Sequence, residues 1–87
     1  MKINIYGKKD CVWCKRAQDE CFKFGKEYDY KDVYEDLNNE EFVHLFKFAA
    51  PYAKTFPIIL VNGIWIGGYQ ELKKELNEDF ENQRNRN

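Results

Sequence analysis

Ile3-Asn4-Ile5-Tyr6-Gly7-Lys8-Lys9-Asp10-Cys11-Val12-Trp13-Cys14 is the stretch that decides the fold. Ile3 and Ile5 alternate with Lys2 and Asn4 ahead of Gly7, the period of a short strand with one face turned inward. Past Cys11 the period changes. Cys14, Ala17, Cys21 and Phe24 recur at helical spacing, a single stripe on a helix running from Val12 to about Phe24 and stopped by Gly25. A close pair of cysteines therefore falls where a strand hands over to a helix.

Working outward, Tyr28 to Tyr34 is weakly strand-like, and Glu35 to Asn39 reads as a loop. Asn38 or Asn39 can cap a second helix whose start is complemented by Glu40 and Glu41, whose buried face is Phe42, Leu45, Phe46 and Ala49, and which Pro51 ends. Ile58-Ile59-Leu60-Val61 is a continuous apolar strand, and Asn62-Gly63 supplies the two positive-φ positions of a tight hairpin into Ile64-Trp65-Ile66. Gly67-Gly68 opens a last helix that should bury Leu72, Leu76 and Phe80. The order is βαβαββα: a four-stranded mixed sheet with helices on both faces, a parallel right-handed crossover at the front and an antiparallel hairpin at the edge. Residues 1–80 form the expected domain, and residues 81–87 a polar tail that frays.

With 87 residues there is room for one domain, and an apolar fraction of 44% is enough to fold it. Lys plus Arg number 14 against 15 Asp plus Glu, which leaves no basic stripe for a nucleic acid. No apolar run approaches the roughly 20 residues a membrane helix needs. Met1-Lys2-Ile3-Asn4 leads into charge rather than a signal-peptide stretch, so no membrane or export is expected. Three cysteines are too few and too odd for a disulfide-stapled secreted domain, which points to the reducing cytoplasm, where a close pair is catalytic or metal-binding.

Side chains three apart on a helix have Cβ atoms about 5–6 Å apart, so Cys11 and Cys14 can close a disulfide with little rearrangement. Free amide N–H groups, the helix dipole, Lys8 and Lys9 all favour a thiolate at Cys11, the expected nucleophile. Cys14, one turn further and on the core-facing stripe, is the expected resolving thiol. Half of a zinc site has the same Cys-x-x-Cys spacing. Cys21 lies about 10.5 Å beyond Cys14 at about 1.5 Å of rise per residue, too far for a disulfide or a shared metal, and reads as a packing thiol. His44 points away from its helix's apolar face, toward solvent.

Together with Thr55-Phe56-Pro57 and Gly67-Gly68-Tyr69-Gln70-Glu71-Leu72, these residues make a chain that resembles a dithiol glutaredoxin of the thioredoxin superfamily, from Lys2 to Leu76. The resemblance implies the thioredoxin-like (glutaredoxin) fold, a four-stranded mixed sheet flanked by three helices. It also implies a monomeric enzyme that reduces protein disulfides and glutathione mixed disulfides, ribonucleotide reductase among the candidate clients. Glutathione would be the reducing co-substrate, with no permanently bound cofactor. By the same resemblance Pro57 is cis and Phe56 offers its backbone to a substrate cysteine. Gly68 lets a ligand approach the N–H groups of Tyr69 and Gln70, which would take the γ-glutamyl carboxylate of glutathione. Glu71 would meet its ammonium, Lys8 its glycyl carboxylate with help from Lys54, and Trp13 would stack on substrate. Val12-Trp13 replaces the common Pro-Tyr of the family, Phe56 a smaller valine, and Gln70 an acidic or small residue. These departures bear on redox potential and glutathione affinity.

Other readings remain open at this level. A thioredoxin-like carrier reduced by a flavoprotein reductase uses the same cysteine pair. An iron-sulfur carrier would hold a cluster between Cys11 of two subunits and two glutathiones. A zinc module is the third.

Overall fold

The computed structural model describes residues 1–84. β1 (Ile3–Gly7), α1 (Val12–Lys23), β2 (Tyr28–Asp32), α2 (Asn39–His44, continued by a π-helical turn over Leu45–Ala49), β3 (Ile58–Val61), β4 (Ile64–Gly67) and α3 (Tyr69–Arg84) follow one another in the expected order. The strands lie β2-β1-β3-β4, with β1 parallel to β2 and antiparallel to β3, and β4 antiparallel to β3. This is the four-stranded mixed sheet of the thioredoxin-like fold.

The sheet's two faces carry two cores. On one, Ile3, Ile5, Ile59 and Val61 pack against Ala17 and Cys21 of α1 and Leu72 and Leu76 of α3. On the other, Ile58 and Leu60 meet Val33, Leu45 and Ala50 beneath α2. β3 is apolar throughout because it is a central strand whose alternate side chains feed opposite layers. Asn62 at φ 52° and Gly63 at φ 81° make the tight hairpin, and Asn62 Oδ1 accepts the Lys2 N–H at 2.8 Å, fastening the turn to β1.

The second helix departs from expectation. Asn38 caps it in a reciprocal box with Glu41, each side chain accepting the other's backbone N–H. Of Phe42, Leu45, Phe46 and Ala49, however, only Leu45 is buried, and Ala50 supplies the next buried position. The cause is the π turn, in which the Ala50 N–H reaches back five residues to the Leu45 carbonyl at 2.7 Å, so the extra residue rotates the face that meets the sheet.

α3 differs at its far end. Phe80 was expected inside but is 50% exposed, its ring edge-on to Phe24 at 5.9 Å between centroids. Residues 81–84 belonged to the expected frayed tail, yet they continue the helix, with Gln83 donating to Asp79 at 3.0 Å and Arg84 3.7 Å from Glu81. The rest of that tail, 85–87, lies outside the described residues.

Candidate active site

Cys11 is the N-cap of α1: its backbone is extended (φ −114°, ψ 100°) and its Sγ accepts the N–H of Cys14 at 3.2 Å. A sulfur thus fills the place usually taken by a serine or aspartate oxygen, in a first turn that contains no acidic side chain. Cys11 and Cys14 form a disulfide across a Cα–Cα distance of 5.2 Å. Cys14 is buried at 1% exposure, while Cys11 is half-buried and flanked by exposed Val12 and Trp13. An incoming sulfur therefore has access to Cys11 and not to Cys14.

The lysines part company. Lys9 turns away to Glu35 at 3.5 Å, leaving Lys8, whose Nζ stands 5.4 Å from the centre of the Phe56 ring. Lys8, Cys11, Cys14, Lys15, Arg16 and Tyr30 share an open concavity on one side of the disulfide.

A second groove, of about 350 Å³, is reached from the cysteine loop by Trp13. Trp13, Thr55, Phe56, Pro57, Gly68, Tyr69, Gln70 and Glu71 line it. The Phe56–Pro57 peptide is cis. Trp13 packs against Tyr69 with ring centroids 5.4 Å apart, and the Arg16 guanidinium lies 4.7 Å from the Trp13 ring, so the groove's two walls touch at its top. A Cβ on Gly68 would stand 3.2 Å from the Pro57 carbonyl oxygen, which is why the start of α3 can press so closely on that loop. As first-turn groups, the N–H of Tyr69 and Gln70 have no acceptor within the helix.

Two proposed ligands are placed differently from expectation. Glu71, cast as partner of a ligand ammonium, uses Oε1 to accept the Gly68 N–H at 2.8 Å, because the residue three beyond a helix cap is the one that can reach back to it. Lys54 lines a neighbouring concavity with Tyr52 and Trp65 rather than the groove itself. Lys8 faces the groove only across the Phe56 ring.

Tyr30 was not singled out, and Thr55 entered only as the first residue of the Thr55-Phe56-Pro57 motif, with no role of its own. Tyr30 pairs with Ile5 across β1 and β2, and the alternation of Tyr28, Tyr30 and Asp32 was the signal that could have turned its ring toward α1. Burial, and then the charges of Asp32 and Asp36, push its phenol above its ordinary range. Cys21 is fully buried, and burial followed by the charge of Glu20 pushes its thiol up to about 11. His44 is exposed. Among the described residues no group of three or more His, Cys, Asp or Glu side chains could hold a metal ion. No helix of the described residues is long and apolar enough to cross a membrane.

Comparison with solved structures shows what the chain is similar to. The reduced glutaredoxin of Escherichia coli superposes with a TM-score of 0.74 at 29% identity, over 93% of this chain and 99% of that one. The chain has the thioredoxin-superfamily fold of the glutaredoxins it resembles. The oxidized form of the same bacterial protein gives a TM-score of 0.71 at 27% identity, with 93% and 99% coverage. Two more distant likenesses show the fold alone. One is the Escherichia coli NrdH-redoxin, described as having a thioredoxin-like activity profile, at 0.68 and 19% identity over 90% of this chain and 93% of that one. The other is a buckwheat glutaredoxin in complex with glutathione, at 0.69 and 17% over 88% and 69%. No protein-family model and no curated protein matches the chain. With its disulfide-forming pair at the start of α1, this glutaredoxin-like protein is a thiol-disulfide oxidoreductase.

Proposed function

We propose that the protein is a glutathione-dependent reductase of protein disulfides and glutathione mixed disulfides. The Cys11 thiolate attacks a substrate disulfide, forms a mixed disulfide and expels the other substrate sulfur as a thiolate. Cys14 then attacks Cys11, closing the intramolecular disulfide and releasing the second substrate thiolate. Two glutathiones reopen the pair: the first bonds to Cys11 and expels Cys14, and the second takes the first away as glutathione disulfide. When the substrate is itself glutathionylated, Cys11 alone suffices.

The observation that carries this reading is the groove that Trp13, from between the two cysteines, lines together with Phe56, Pro57, Gly68 and Tyr69. Its volume of about 350 Å³ suits a ligand the size of a tripeptide. The N–H groups of Tyr69 and Gln70 at the start of α3 suit the γ-glutamyl carboxylate, and the Glu71 oxygen not engaged with Gly68 suits the ammonium beside it. Lys8, which shares a concavity with Cys11, suits the glycyl carboxylate, while Lys54 contributes at most from outside. The backbone of Phe56, before Pro57, pairs with the substrate like an added strand, reading main chain rather than side chains. An odd cysteine count with a buried third thiol suits a reducing cytoplasm, and disulfide-bonded or glutathionylated proteins are the clients.

The test is reduction of the oxidised protein by glutathione against NADPH with a flavoprotein thioredoxin reductase, followed by titration of the thiols released. Reduction by glutathione, with turnover of a glutathionylated peptide, is expected. Reduction by the reductase alone would transfer the protein to the thioredoxin-like reading.

A further inference from the structure

Gly7, the last residue of β1, has no side chain for a spatial reason. A Cβ built there would collide with the Tyr30 hydroxyl, would stand 2.8 Å from Tyr30 Cζ and only 3.0 Å from Cys14 Sγ. The phenol of Tyr30 and the sulfur of Cys14 therefore converge over one point of the β1 backbone, brought there by the parallel pairing of Tyr30 with Ile5 and by the first turn of α1. The hydroxyl has no hydrogen-bond partner among the described residues, whereas Tyr28, two places earlier on the same face, donates to Gln18 at 3.2 Å. Tyr30 lines the concavity that also contains Cys11 and Cys14.

We propose that Tyr30 is the hydrogen-bond donor to the Cys14 sulfur whenever that sulfur is a thiolate. Cys14 is buried, and it bears negative charge twice in each cycle: as the leaving group when an external thiolate attacks Cys11 Sγ and the Cys11–Cys14 bond breaks, and as the nucleophile that re-forms that bond. A buried anion without a donor is costly, and an O–H to a charged sulfur is worth more than one to a neutral acceptor. The raised ionisation of the phenol keeps its proton in place across the neutral and mildly alkaline range, so Tyr30 donates a hydrogen bond and does not surrender its proton. The other charged groups about this concavity are Lys8, Asp10, Lys15, Arg16 and Asp19, with Asp32 and Asp36 acting on the phenol. All of them are unchanged in the comparison below.

The inference rests on thiol-disulfide exchange at this pair but not on glutathione, and the experiment separates the two. Tyr30→Phe removes one oxygen and keeps the ring. With dithiothreitol as reductant, opening of the Cys11–Cys14 disulfide should slow about tenfold, the size of one hydrogen bond to a charged group, and the Cys14 thiol of the reduced protein should titrate about one pH unit higher. Tyr28→Phe, on the same strand face, should change neither. In a Cys14→Ser background Tyr30→Phe should leave turnover of a glutathionylated peptide unchanged, since no charge then develops at position 14. Should Tyr30→Phe fold poorly, the ring resonances of Tyr30 in the unaltered reduced protein give the second measurement: they should shift with the titration of Cys14. Unchanged opening by dithiothreitol, an equal loss in the Cys14→Ser background, or ring resonances blind to Cys14 would each overturn the assignment. Failure with glutathione alone, with the dithiothreitol result intact, would instead count against the proposed co-substrate.

Discussion

The Gly68 N–H donates to Glu71 Oε1 at 2.8 Å, so a side chain expected to face a ligand also holds the end of α3 against the Pro57 loop. The two duties can be separated. Glu71→Gln keeps an acceptor for Gly68 and should leave stability nearly unchanged while raising the KM for glutathione several-fold. Glu71→Ala should raise KM as well and also destabilise the fold by about 1 kcal/mol, as loss of a cap does. Urea denaturation alongside steady-state kinetics distinguishes them, and an unchanged KM in both variants would remove Glu71 from the ligand site.

Cys14→Ser should retain turnover of a glutathionylated peptide and lose reduction of a protein disulfide, whereas Cys11→Ser should lose both by at least a hundredfold. Only Cys11 is accessible to an incoming sulfur, and only Cys14 is buried beneath it. Parallel assays on the two substrates check this, and equal losses in the two variants would refute the division of roles.

Gly7→Ala should destabilise the protein by about 1–3 kcal/mol, because the added methyl meets Tyr30 and Cys14 in a packed layer with no flexible end to yield. Thermal or urea unfolding measures it. Gly25, where a Cβ would meet nothing within 4 Å but φ is +66°, is the contrasting case: Gly25→Ala should cost only the roughly 1 kcal/mol of left-handed backbone.

The Cys21 thiol, pushed up to about 11, gives a pH signature. The unfolded thiol ionises near 9.0 and the folded one near 11, so over that interval the unfolded chain binds fewer protons than the folded one. Its contribution to stability is full below 9.0 and falls as pH rises toward 11, at up to about 1.4 kcal/mol per pH unit for one group. Cys21→Ala should flatten that alkaline loss relative to the unaltered protein. Unfolding midpoints of the two at pH 8 and pH 10.5 check the sign, and parallel curves would contradict it.

Much of this was legible in the chain because the signals were local. The Ile3-Ile5 alternation, the Cys14-Ala17-Cys21 stripe and the positive-φ pair Asn62-Gly63 each depend on neighbours in sequence, and each stands where its pattern put it. The rotation of α2 was not legible, since a π turn at Leu45 is a response to packing on the sheet rather than a propensity of Leu-Phe-Lys-Phe-Ala. Lys54 was named through the family resemblance alone, and it lines the concavity it shares with Tyr52 and Trp65. Tyr30 escaped notice because its meaning depends on Gly7 and Cys14, two residues remote from it in sequence and joined to it only by strand pairing.

β3 sends Ile59 and Val61 to one core and Ile58 and Leu60 to the other, and it begins immediately after Pro57. The loop proposed to meet the substrate is thus rooted in both halves of the molecule at once. A cavity opened far from the cysteines, at Leu60 on the α2 side for instance, should register as a slacker grip on the client's main chain, with the reactivity of Cys11 toward small alkylating agents left intact. Variation among relatives in that remote layer would then tune which clients are served without touching the chemistry that serves them.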